Sequence, residues 1–147
     1  KPKFVVKEIT NGYNSSSHDI EICGALKNLF AISSGIVNGC VKSTYGENTR
    51  ALFTAESIKE FRSLTSQIGS GKSQVLNSSA GIADLLVTMS NKDSRNYKFG
   101  LYIAQGLSEE EALERVGMTV EGLETLKAVK KNGQLANNYC GQTVSGR

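Results

Sequence analysis

From Asp19 to Gly133 the chain is written in helical spacing: apolar residues recur at steps of three and four in successive runs, most of them closed by a glycine. That pattern restricts the fold, because each run makes an apolar stripe that must be covered by another element. Asp19 can cap the first run, in which Ile22, Leu26, Leu29 and Ile36 recur and Gly39 is the expected stop. The second run, from Glu47 to Gly69, carries Ala51, Ala55, Ile58, Phe61, Leu64 and Ile68, with its charges mostly on the complementary face. Ser79 to Met89 is almost continuously apolar but too rich in alanine and leucine for a strand, and reads as a central, buried helix. Ser94 opens a helix through Tyr97, Leu101 and Ile103 to Gly106. Ser108 with Glu111 makes a capping box, Leu107 can staple onto Ala112, and Gly117 closes that short helix. A last helix from Thr119 to Gly133 buries Val120, Leu123, Leu126 and Val129. The expectation is an all-α domain of about six helices.

Only Phe4 to Ile9 reads as a strand, followed by a loop-like Asn11 to Ser17. One strand cannot form a sheet. Residues 1–18 are therefore expected to be a strand and linker left from a preceding domain, with 19–147 the helical domain; the initial Lys1 in place of methionine raises the same expectation. At 147 residues and 39% hydrophobic, one core is the natural outcome. A net charge of +3, with the basic residues dispersed, gives no support to nucleic-acid or membrane-surface binding. No apolar run approaches the roughly 20 residues of a spanning helix, and no secretory pattern opens the chain. Cys23, Cys40 and Cys140 are far apart and lack metal-site spacings, so they are expected as reduced thiols in a cytoplasmic protein with no metal. Gly71-Lys72-Ser73 imitates the end of a phosphate loop, but Ser66 stands where its first glycine belongs and no strand precedes it; it reads as a loop. His18 has no expected role.

Three features interrupt the apolar pattern. Lys27 lies in Gly24-Ala25-Leu26-Lys27-Asn28, on a face shared with Ala31 and Ser34. Asp84 interrupts the third run. A charge placed there needs a partner or a task, since burying it unpaired costs several kcal/mol. The alternatives are a snorkelling surface lysine and a carboxylate that caps a neighbouring helix. Ser94-Arg95-Asn96 is the third feature. Backbone N–H groups, the positive end of the helix dipole and a guanidinium converge there, an arrangement that holds phosphate. A salt bridge from Arg95 to Asp93 is the alternative. If the Lys27 and Asp84 helices pack together, their side chains should come within salt-bridge reach.

Ile20-Glu21-Ile22-Cys23-Gly24-Ala25-Leu26-Lys27-Asn28, Gly46-Glu47-Asn48-Thr49-Arg50-Ala51, Ala80-Gly81-Ile82-Ala83-Asp84-Leu85, Ser94-Arg95-Asn96 and Val120-Glu121-Gly122 stand in order between Asp19 and Asn132. This set resembles the carboxy-terminal, substrate-binding domain of NAD(P)-dependent glycerol-3-phosphate dehydrogenases. The resemblance implies a helical domain like the C-terminal domain of 6-phosphogluconate dehydrogenase, and interconversion of sn-glycerol 3-phosphate and dihydroxyacetone phosphate with NAD or NADP. It implies that Lys27 exchanges the proton of the secondary hydroxyl and that Asp84 holds and tunes it, with Thr88, one helical turn on, lining the same pocket. Desolvation disfavours a lysine's charged form, as general-base chemistry requires. It further implies that Ser94, Arg95 and Asn96 bind the phosphate end, and that Arg95 and Glu121 contact the cofactor. No Gly-x-Gly-x-x-Gly follows a strand in this chain, so the cofactor-binding Rossmann domain is expected to be missing and the chain alone to be inactive. A homodimer is compatible with an apolar face left uncovered. Two other readings stand beside this one: a non-catalytic helical ligand-binding module, and the helical domain of a related hydroxy-acid or ketopantoate dehydrogenase.

Overall fold

The structure, a computed structural model, describes residues 17–40, 46–68 and 79–131. Over them run six helices: α1 (Ser17–Cys40), α2 (Gly46–Ile68), α3 (Ser79–Ser90), α4 (Arg95–Ala104), α5 (Glu109–Val116) and α6 (Glu121–Lys131). These are the helices expected from the spacing, with ends moved by a residue or two. The Phe4 to Ile9 strand, the Gly71-Lys72-Ser73 loop and the tail after Asn132 lie outside the described residues.

α1 is the axis of the domain and packs against α2, α3, α4 and α6. On one side Leu26 and Phe30 meet Phe61 and Leu64 of α2, Leu85 and Met89 of α3 and Val129 of α6. The Phe30 and Phe61 rings meet edge to face at 5.6 Å, the arrangement that aromatic quadrupoles favour. Farther along α1, Ile32 joins Phe99 of α4, Ala112 of α5, and Val120 and Leu123 at the start of α6. One helix thus serves two apolar clusters, each large side chain contributing about 1.5–3 kcal/mol on burial.

The closest approach is between α1 and α4. A Cβ on Gly35 would stand 2.1 Å from the Tyr97 carbonyl oxygen, and one on Gly100 2.0 Å from that of Ile32. The two backbones therefore touch through positions that admit only hydrogen. Gly122 does the same for α6, where an added Cβ would lie 2.7 Å from the Asn28 carbonyl oxygen. These contacts fix the first turns of α4 and α6 relative to the Lys27-Asn28 stretch of α1.

Local signals explain the shorter helices. The Ser108 hydroxyl accepts from the Glu111 N–H while the Glu111 carboxylate accepts from the Ser108 N–H, and Gly117 closes α5 with φ at 69°. Leu107 packs against the cluster that holds Ala112, as the expected staple requires.

Three expectations need correction. α3 is not a central helix: Leu85 and Met89 are buried but Val87 is 66% exposed, because α3 is covered mainly by α1. On α2, Ala51 and Ala55 face solvent, and the inner face takes in Ser57 and Thr65. Thr65 tolerates burial because its hydroxyl donates to the Phe61 carbonyl at 2.6 Å. Finally, over Ile20–Cys40 α1 is long and apolar enough, at a mean hydropathy of 1.4, to pass for a membrane-crossing helix. α1 packs against four other helices, with 33% of that window buried.

Candidate active site

Lys27 projects from α1 toward α3, and Asp84 meets it there. The ammonium Nζ donates to Oδ2 at 2.8 Å and to Oδ1 at 3.1 Å. The side chains are 28% and 57% exposed, so this ion pair lies at the rim of the core. The desolvation anticipated around the lysine is only partial among the described residues. Two contacts to one carboxylate still fix the direction of Nζ, which a single flexible lysine would not do. Thr88 turns its hydroxyl hydrogen to the Asp84 carbonyl, one turn back, at 2.7 Å.

The second half of the site is built on two helix N-termini. Ser94 is the N-cap of α4, with φ at −58° and ψ at 135°, and its hydroxyl makes no capping bond. Arg95 opens α4 and Glu121 opens α6. Arg95 Nη2 donates to Glu121 Oε1 at 3.3 Å, while Asn28 Nδ2 donates to Glu121 Oε2 at 3.1 Å. Glu121 thus ties α1, α4 and α6 together. Asn96 is buried, and its side-chain oxygen accepts from the Gly122 N–H at 2.9 Å. It satisfies one of the free N–H groups that a helix start leaves.

Of the residues singled out from sequence, Lys27 and Asp84 are in contact, Thr88 is bonded to Asp84, and Arg95, Asn96 and Glu121 form the α4–α6 junction. The alternative partner Asp93 is not taken by Arg95; it lies 3.7 Å from Lys98. Asn28 is the residue that sequence reasoning passed over. Its position beside Lys27 was the available signal, and the structure makes it the link between the lysine segment and Glu121. Among the described residues no group of histidine, cysteine or carboxylate side chains is placed to hold a metal ion.

Chemically, the arrangement offers an oriented amine for proton exchange on α1 and, joined to the next residue of α1 through Glu121, a helix N-terminus with a guanidinium for an anion. Known proteins share this fold and sequence. A family model described as "NAD-dependent glycerol-3-phosphate dehydrogenase C-terminus" matches residues 18–140. The chain is 39% identical over 136 residues to glycerol-3-phosphate dehydrogenase [NAD(P)+] 2 of Lactobacillus delbrueckii subsp. bulgaricus, a match covering 92% of this chain and 38% of that protein. With the Synechococcus sp. glycerol-3-phosphate dehydrogenase [NAD(P)+] it shares 40% identity over 121 residues, covering 82% and 39%. The crystal structure of glycerol-3-phosphate dehydrogenase from Coxiella burnetii superposes with a TM-score of 0.69 at 32% identity, covering 83% of this chain and 36% of that one. The chain therefore spans under two fifths of these relatives, and it belongs to the family described as NAD-dependent glycerol-3-phosphate dehydrogenase C-terminus.

Proposed function

We propose that the whole protein interconverts sn-glycerol 3-phosphate and dihydroxyacetone phosphate with NAD or NADP, and that this chain supplies its substrate-binding half. The observation that carries the reading is the Lys27–Asp84 ion pair, 2.8 Å long and open to solvent, in a chain of this family. Oxidation of the substrate removes a hydride from C2 and a proton from the C2 hydroxyl. The nicotinamide cofactor, when bound, provides the hydride acceptor. Lys27 in its amine form takes the hydroxyl proton, and in the reverse direction its ammonium returns that proton to the carbonyl oxygen. Asp84 is the positioning residue for Nζ, and Thr88 borders the same space. Ser94, Arg95 and Asn96 receive the phosphate at the start of α4, where the dipole and the guanidinium act together.

What the described residues offer a dinucleotide is limited to Arg95 and Glu121, with side chains 41% and 59% exposed at adjoining helix ends. They suit a phosphate and a ribose hydroxyl at the edge of a cofactor held mainly elsewhere. We therefore propose that residues 1–18 lead in from a Rossmann domain and that residues 19–147 form the helical domain closing over it. That domain would also dry the Lys27 site, which the helices alone leave partly wet. On this reading α1 is a core helix of a soluble, cytoplasmic protein. The exposed apolar Leu52 and Val87, at 64% and 66%, support self-association as a homodimer.

The test is substrate choice by the whole enzyme. Initial rates with glycerol 3-phosphate should exceed those with 2-hydroxy acids or ketopantoate by several orders of magnitude. A hydroxy acid turned over as fast would overturn the reading. The 147-residue chain alone should show no turnover.

A further inference from the structure

A cavity of about 690 Å³ opens between α1, α2, α3 and the first turn of α4. Lys27, Asp84, Arg95 and Glu121 do not line it. Its lining combines apolar side chains, among them Phe53, Leu86 and Met89, with the polar Glu47, Arg50, Lys92 and Tyr97.

Arg50 is aimed rather than loose. Its Nε donates to Asn38 Oδ1 at 2.6 Å and its Nη1 to Glu47 Oε1 at 2.5 Å. Those bonds leave the remaining N–H groups of the fork to a further acceptor. Tyr97 is only 5% exposed, and its hydroxyl has no hydrogen-bond partner among the described residues. A phenol that lines a cavity without a protein partner is left to bond whatever enters it. Burial pushes this phenol up from its ordinary range, and the nearby Arg50 charge pulls it part of the way back. Arg50 and Tyr97 both line this cavity. Lys92 takes part in no ion pair among the described residues. With Glu47 counted, the lining carries two positive charges and one negative, so a single negative charge neutralises it.

We propose that this cavity binds a small organic monoanion, its carboxylate held by Arg50, Lys92 and the Tyr97 hydroxyl and its apolar body lying against Phe53, Leu86 and Met89. The net charge favours a carboxylate over a phosphate dianion, and the apolar wall favours a carbon chain over a bare ion. The site is separate from the Lys27 chemistry, although α1 and α3 are shared between the two.

Hexanoate is a suitable probe, titrated calorimetrically into the Arg95→Ala form of the 147-residue chain, which removes the anion site at the start of α4, with hexanol and inorganic phosphate in parallel. Hexanoate should bind saturably, and both comparators at least tenfold more weakly. Tyr97→Phe keeps the ring and removes only the hydroxyl; together with Lys92→Gln it should weaken hexanoate at least fivefold while the far-ultraviolet circular dichroism is unchanged. Lys27→Ala should leave hexanoate binding as it is. Equal binding of hexanol would reduce the site to an apolar hole and overturn the proposal. So would equal binding of phosphate, hexanoate affinity unmoved in the Tyr97→Phe, Lys92→Gln protein, or its loss in Lys27→Ala.

Discussion

Replacing Gly35 by alanine tests how the domain is held in shape. The new methyl carbon would lie 2.1 Å from the Tyr97 carbonyl oxygen and 2.8 Å from the Leu101 backbone nitrogen. A carbon and a carbonyl oxygen rest at about 3.3–3.6 Å, so α1 and α4 must part by more than 1 Å. Neither obstacle is the free end of a side chain, and relief has to come from moving a helix. Overpacking of this kind costs about 1–3 kcal/mol and occasionally more. Alanine's better helix propensity returns about 1 kcal/mol. With the penalty at its upper end, because backbone is struck, the net loss is about 2 kcal/mol out of a total stability on the order of 5–15 kcal/mol. Gly24, on the same helix, supplies the control: a Cβ there meets nothing within 4 Å. Gly24→Ala should therefore stabilise by up to about 1 kcal/mol. Urea unfolding followed by circular dichroism at 222 nm, on the 147-residue chain, measures both. The reasoning fails if Gly35→Ala unfolds at the same urea concentration as the parent, or if the two variants shift in the same direction.

Other consequences can be checked on the same material. The 147-residue chain should bind inorganic phosphate weakly, with affinity falling as salt rises; Arg95→Ala should abolish that binding with a change in stability under about 1 kcal/mol, since its exposed pair with Glu121 contributes little. Phosphorus NMR decides this, equal binding by both proteins counting against the anion site. Glu121→Gln should bind phosphate several-fold more tightly than the parent, because Glu121 occupies the Arg95 guanidinium at 3.3 Å and the anion must displace it; unchanged affinity would mean that Arg95 meets the phosphate without leaving Glu121. The Glu111 carboxyl is held below its usual range by hydrogen bonds from Ser108. Its stabilising effect is present above the unfolded value, about 4.3, and is lost as pH falls through the lower folded value. The melting-temperature gap between the parent and Glu111→Gln should accordingly close on acidification, and a gap that widens would contradict the capping box.

The helices were legible because their signals are local. Ser108, Glu111 and Gly117 state a capping box and a left-handed stop within ten residues of sequence, and the apolar steps of α1 and α6 say which side faces inward. The Lys27–Asp84 contact was also foreseeable, since two charges in apolar runs have few better choices than each other. What escaped the sequence was tertiary. Ser57 and Thr65 turn inward on α2 because their surroundings, and a carbonyl within the helix, satisfy them. Residue type alone favoured Ala51 and Ala55. Arg95 finds its acid 26 positions away, at Glu121, where proximity along the chain pointed to Asp93. Gly35 and Gly100 look like weak points in two helices until the helices are brought together. Asp84 remains partly exposed because α3 is covered on one side, which no periodicity discloses.

The central claim is that Lys27 moves the proton. In the whole enzyme, the kcat of Lys27→Ala with glycerol 3-phosphate measures it most directly, alongside thermal unfolding of the same protein. A positioned acid–base group contributes about 10²–10⁴-fold, so kcat should fall by at least that range while the melting temperature stays near that of the parent, the lost ion pair being a rim contact. Near-normal turnover in a folded Lys27→Ala enzyme would contradict the account.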